Sequence, residues 1–410
     1  MSQLPEPTAS PGPEALPKQD ALPAPGGVAA PAAPVSRRRS AARWGIAGVA
    51  ALVVAGVTVG AVRVGGAVSG PEAALPGAAA AAQPGGDLAA ADAPVAPIAF
   101  TATPPAQAPD SFDPLVRFAR FGRLPAGMVP RTTVVQAGDQ GGYTIEAGLP
   151  ERSIGAQVAV TFFPRGVTPH RECLATANLV RPMRGMASTP TAAAAPAVPA
   201  VHGKPVKAVD GRMRWEYAPG AWAEAVGKDL VDREGEDPAA NLRALADIAA
   251  DLRYGVEALR FPLVVGGVPR SLRLAVASVT ERSKTGWSSG LVFTAGPYCG
   301  GENVAPKDAL AVRVDAIIPG YGWTGDHSNA TVDGRHAVKQ EFPTGATGLA
   351  VYDNPGPHVA VTTSDAATTQ LVGGDGLVGL YRRIQVLGAT DLSTIAQPAD
   401  QGGWTTDPVR

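Results

Sequence analysis

The run from Trp44 to Val62, WGIAGVAALVVAGVTVGAV, contains no charged residue. Its length approaches the roughly 20 apolar residues with which one helix crosses a bilayer. Arg37, Arg38, Arg39 and Arg43 stand before it and Arg63 alone follows closely. An excess of basic residues marks the cytoplasmic flank. The spacing therefore predicts a single-pass anchor with residues 1–43 inside and the larger part of the chain outside. Gly45, Gly48, Gly56 and Gly60 would let a second helix approach closely, although an Ala/Gly-rich composition accounts for them more simply. A rival reading is a cleaved signal peptide, with Ala67-Val68-Ser69 as its small-residue site; the long leader ahead of the apolar run argues against it. Under either reading the bulk of the chain is exported.

Residues 1–36 are rich in Pro and Ala and lack aromatic residues, so they are predicted to form a disordered cytoplasmic tail. Residues 37–68 carry the Arg cluster and the transmembrane helix, whose partner is the lipid bilayer through residues 44–62. Residues 69–110 form a Pro/Ala linker, reaching about 35 Å as a random coil. Formal charge over all 410 residues is −1, which offers no single-sign field for nucleic acid or another polyanion.

From Ser111 the texture changes to short alternating runs separated by Gly, Pro and Asp. In DALAVRVDAII, Leu310, Val312 and Val314 share one face, while Ala311, Arg313 and Asp315 share the other, as a half-buried strand requires. RTTVVQA, GYTIEAG, AQVAVTFF, SLRLAVASV, GLVFTAG, AVKQEF, GLAVYD and HVAVTT read the same way. One helix stands out: Asp237 can cap it, Pro238 suits its first turn, Leu242, Leu245, Ile248 and Leu252 form a stripe, and Gly255 ends it. A weaker helix is expected over residues 376–387, where Leu377, Leu380, Tyr381 and Ile384 keep helical spacing.

Two signals recur in the same order. Phe121–Arg131 resembles Phe261–Arg270, and each is followed by a strand run, a cysteine and the tetrapeptide Val-Asp-Gly-Arg, starting at Val209 and Val332. Repetition at a domain-sized interval predicts a duplicated unit. The expected fold is α+β, mainly antiparallel β, with two similar tandem units, each with a covering helix, preceded by one transmembrane helix. The first extracytoplasmic unit spans 111–255 and the second 256–392, with 393–410 as a C-terminal tail. Both Asp-Gly pairs read as hairpin turns.

Candidate chemistry is sparse. Cys173 and Cys299 are the two cysteines; outside the cell they can form a disulfide, and neither has a second ligand at zinc spacing. Gly286–Gly290 fits the G-x-S-x-G nucleophile pattern, with Asp308, Asp315, Asp326, His327, His336 and His358 downstream. That pattern needs a strand before and a helix after it, whereas the residues following it read as strand; a hairpin turn explains the same letters. Trp323, Asp326 and His327 mark a candidate binding loop. Trp215, Tyr217 and Trp222 are expected to fill the core beside a turn. Asn329-Ala-Thr331 fits a glycosylation sequon. The sequence carries no Gly/Lys phosphate loop, HExxH, calcium loop or paired-cysteine zinc site, so no catalytic residue, metal or cofactor is expected.

The layout of Pro/Ala-rich tail, Arg cluster, Ala/Gly/Val anchor, Pro/Ala stalk and β-rich outer part resembles uncharacterised membrane-anchored envelope proteins of actinobacteria. The resemblance is one of composition and layout, and implies an envelope setting with a cell-wall or envelope protein partner. The function expected is non-catalytic binding, sensing or scaffolding there. The alternatives are a secreted-face serine hydrolase using Ser288 and a transmembrane regulator relaying an envelope signal.

Overall fold

A computed structural model describes residues 97–139, 141–149, 155–169, 174, 198–209, 212–231, 238–283, 286–299, 307–317, 328–352, 357–387 and 403–410. The run at 44–62 read as an anchor, Cys173, the candidate loop residues Trp323, Asp326 and His327, the stretch 1–36 read as a tail and the expected cap Asp237 lie outside them. Among the described residues no helix is long and apolar enough to cross a membrane.

The elements run β1 (Ile98–Thr101), β2 (Val116–Arg120), β3 (Val129–Gln136), β4 (Gly142–Gly148), β5 (Gln157–Phe162), β6 (Val206–Val209), β7 (Arg212–Ala218), β8 (Ala221–Lys228), α1 (Pro238–Ala250) and β9 (Arg253–Ala258). The chain continues through β10 (Leu263–Val265), β11 (Arg273–Ser283), β12 (Gly286–Thr294), β13 (Ala309–Ile317), β14 (Ala330–Val332), β15 (Arg335–Glu341), β16 (Thr347–Tyr352) and β17 (Pro357–Thr363). It closes with α2 (Ala366–Leu371), α3 (Gly376–Tyr381) and β18 (Ile384–Val386). Each of the alternating runs named above has a strand over most of its described residues, and the fold is mainly antiparallel β with few helices.

Among the described residues thirteen strands form one sheet, ordered β14-β15-β16-β17-β13-β12-β11-β3-β4-β5-β8-β7-β6. β3 and β11 pair antiparallel at its centre. Outward from that pair, one side runs β3-β4-β5-β8-β7-β6 and the other β11-β12-β13-β17-β16-β15, with β14 added at the edge. On each side the chain makes a three-strand meander, departs to the rim, and returns inward. Each side also ends on a short strand after its helix or helices: β9 pairs with β2, and β18 with β10.

Side chains paired in register point to the same face. One row, Trp215, Ala223, Phe162, Tyr143, Val135, Ala277, Leu291, Val312, Val361 and Leu349, crosses ten strands. None of its members is more than 2% exposed. That face carries the core. α1 lays Leu245 and Ile248 against it, supported by Leu242 and by Leu252 just past its end, all buried. Asn241 fixes the helix to the chain leaving β8, accepting from Leu230 N at 3.1 Å and donating to Gly227 O at 3.1 Å. Phe118 packs edge-on against Phe112, Tyr143, Phe162, Tyr217 and Tyr254.

Several sequence expectations are corrected. Gly255 lies within β9 and does not end the helix; a Cβ there would come within 2.7 Å of Ile98 O, so its glycine serves the crossing of β1. The helix expected over 376–387 stops at Tyr381. Two glycines in six residues weaken it, and Ile384-Gln-Val386 goes instead to pair with β10. The stretch read as linker ends early: Ile98–Thr101 forms β1, and Pro109 O accepts from Arg165 N at 2.9 Å. Gly286–Gly290 is neither an elbow nor a turn but the first half of β12.

Candidate functional site

The face opposite the core carries a second register row of different chemistry. Glu146 on β4 pairs with Thr132 on β3, Thr132 with Thr280 on β11, Thr280 with Ser288 on β12, Ser288 with Asp315 on β13, and Asp315 with His358 on β17. The His358 ring meets Tyr352 on β16 edge-on at 4.7 Å, and Tyr352 pairs with His336 on β15. Eight polar residues thus lie on eight consecutive strands. Exposure grades along the row from Glu146 and Thr132, buried, through Thr280, Ser288, Asp315, His358 and Tyr352, half-buried, to exposed His336.

Local contacts hold the row in place. Thr132 Oγ1 and Thr280 Oγ1 are 3.1 Å apart. Arg313, two residues along β13, donates from Nε to both oxygens of Asp315 at 2.9 Å and sets Nη2 2.8 Å from Oδ1. Burial, with the Asp315 charge nearby, pushes the Tyr352 phenol up to about 12. Farther across the same face Glu224, 5% exposed, accepts from Arg214 Nε at 2.7 Å and lies 3.5 Å from Arg212 Nη1.

The buried end is anchored by Arg131, the extra residue at the β3 bulge. Gly148 lacks the Cβ that would otherwise come within 3.2 Å of Arg131 Nη1, so the guanidinium lies over β4 beside Glu146. Glu146 is 3% exposed and Arg131 7%. Burial pushes the Glu146 carboxyl up to about 8, against the opposing pull of Arg131 and a hydrogen bond with Thr132.

The structure brings together Ser288, Asp315 and His358 from the hydrolase pattern, but in the order Ser, Asp, His. A serine nucleophile needs the imidazole next to its hydroxyl and the carboxylate beyond. Here the carboxylate stands between them, held by Arg313. Asp308 is remote in register, with its N–H donated to Asp365 Oδ2 at 2.8 Å, and His336 Nδ1 is 3.3 Å from Ser328 Oγ. Ser289 faces the core and donates from Oγ to Ser278 O at 3.0 Å.

The remaining candidates resolve into structural roles. Trp215 and Tyr217 are buried, as expected, whereas Trp222 is half-buried under Lys207 Nζ, 5.6 Å from its ring. Asn329 of the sequon holds the backbone of Lys339 at both ends, with two bonds of 2.8 Å. The second Val-Asp-Gly-Arg turns the chain between β14 and β15, with Asp333 at φ 50° and Gly334 at φ 79°. It also docks on α3: Arg382 Nη2 donates to Asp333 Oδ1 at 2.7 Å, and Arg335 Nη1 to Tyr381 Oη at 2.9 Å. Cys299 is disulfide-bonded. Among the described residues no group of three His, Cys, Asp or Glu is placed to hold a metal ion. Compared with known protein families, curated proteins and solved structures, the chain matches none.

Proposed function

We propose that this chain is a membrane-anchored extracytoplasmic protein with a non-catalytic binding, sensing or scaffolding role at the cell envelope. The six members of the polar row from Thr280 to His336, half-buried to exposed, are its contact surface, and a cell-wall or envelope component is its partner. The observation that carries the reading is the coupling of Asp315 to Arg313 beside Ser288. That pair commits the carboxylate beside Ser288 to a guanidinium and places it, not an imidazole, next to the hydroxyl in the row, an arrangement suited to holding polar groups by charge-assisted hydrogen bonds. The outer part is read as two similar tandem units. The matching strand orders on either side of β3–β11 support a duplication, the second unit having gained one strand.

The test is retention of cell-wall and envelope fractions by the full-length protein in lipid nanodiscs. The wild type is expected to retain a defined component, and Arg313→Ala with Asp315→Ala to lose it at least tenfold. Retention unchanged by the double substitution would remove the row from the reading. Turnover of ester, peptide or glycan substrates that disappears in Ser288→Ala would replace binding with hydrolysis.

A further inference from the structure

Residues Gly403–Arg410 lie along β10 as a peptide lies along an open sheet edge. Phe261 N donates to Thr405 O at 2.8 Å and Thr405 N to Phe261 O at 3.0 Å. Val265 N donates to Pro408 O at 2.8 Å, Arg410 N to Val265 O at 3.0 Å and Gly267 N to Arg410 O at 3.2 Å. The other side of β10 is taken by β18. Side chains supply the anchors. Trp404 is 7% exposed, with its ring 5.7 Å from that of Trp287. Pro408 is buried, and Val409 packs against the core. Backbone bonds that give affinity and pockets that select side chains are the two parts of strand-addition recognition, and Trp is enriched among the residues that carry most of an interface's binding energy.

Residues 388–402 separate β18 and its flank from this segment. Fifteen residues span up to about 50 Å when extended, so the connection does not dictate which copy of the chain supplies the peptide. We infer that the groove along Phe261–Gly267 is a peptide-docking site whose partner is Gly403–Arg410 of a second copy, exchanged reciprocally. The sequence seen to fit the groove is the chain's own, so another copy brings every anchor in register with no new contact. In dilute solution the tethered segment wins, because a connection of only fifteen residues gives an effective concentration in the millimolar range. Exchange takes over when copies are crowded to that level. This surface is separate from the polar row, and its test is independent of it.

The experiment uses the full chain with a protease site placed within 388–402. After cleavage the fragment is expected to remain bound and to be replaced by a labelled synthetic peptide of residues 401–410. The same peptide with Trp404→Ala is expected to bind at least tenfold more weakly. A cleaved chain that takes up neither peptide, or both equally, overturns the docking site. In a second arm the uncut chain is sedimented from micromolar to millimolar concentration. Dimers are expected to grow with concentration and to be dispersed by excess wild-type peptide but not by the Trp404→Ala peptide. A chain that stays monomeric throughout, or dimers indifferent to the peptide, overturns exchange between copies.

Discussion

Glu146 Oε2 and Arg131 Nε are both buried on the polar face of the sheet, and neither has a hydrogen-bond partner. The two side chains attract one another, yet burial dominates and raises the carboxyl from 4.5 to about 8. Below about pH 4.5 the group is protonated in both folded and unfolded chain. Between there and pH 8 only the unfolded chain ionises, so stability falls as pH rises, by up to about 1.4 kcal/mol per unit from this group, and levels off above 8. Glu146→Gln is expected to remove that slope, leaving stability near the wild type at pH 5 and above it at pH 8.5. Denaturant titrations at the two pH values check this; an unchanged slope would mean that Glu146 is ionised in the folded chain.

The neighbouring serines of β12 test which face is which. Ser289, 2% exposed, gives its hydroxyl to Ser278 O on the core side, whereas Ser288 points into the polar row. Ser289→Ala is expected to cost about 1 kcal/mol, the usual net worth of one buried hydrogen bond. Ser288→Ala is expected to fall within about 0.5 kcal/mol of the wild type. Equal costs for both would contradict the alternation.

Alternation made the central strands legible. Leu310, Val312 and Val314 all reach the core, and the stripe of α1 is buried as the helical period requires. The rim was harder. β6, β14 and β18 are three or four residues long, too short for alternation to stand out, and the run from Leu377 to Ile384 fits a helix until pairing with β10 captures its end. The polar row was legible only in part: the hydrolase pattern named Ser288, Asp315, His336 and His358 but neither their order nor their other neighbours. Glu146 and His358 are 212 positions apart in the chain, and what joins them is the order of strands, which no local pattern encodes. The pairing of two charges on Arg313 and Asp315, by contrast, lay in plain view as alternate residues of one strand.

Cys299 offers a covalent check on the long-range order. It follows Tyr298, which is 3% exposed and whose carbonyl accepts from Gln136 Nε2 at 3.4 Å, so the cysteine leaves the sheet close to the end of β3. Mass spectrometry without reduction is expected to recover a peptide linking Cys173 to Cys299. Reduction is expected to lower stability by about 2–5 kcal/mol, since the bridge closes a long loop of the unfolded chain. Recovery of a bridge between two copies would contradict the intramolecular pairing.

Gly148 links the backbone of β4 to the charge pair. A Cβ there would meet Arg131 Nη1 at 3.2 Å, Arg131 Cδ at 3.3 Å and Ala156 O at 3.3 Å. The carbonyl cannot yield without breaking the β4–β5 region, so the guanidinium must lift. Gly148→Ala is therefore expected to cost about 1–3 kcal/mol through crowding. It should also move the Glu146 pKa still higher, because the nearby positive charge that restrains it withdraws. In Arg131→Met the crowding partner is apolar and flexible, and adding Gly148→Ala should leave the Glu146 titration unchanged. The two substitutions are thus expected to be non-additive, measured as the pH dependence of unfolding in the single and double variants. Additive shifts would show that Gly148 is there for the strand and not for Arg131.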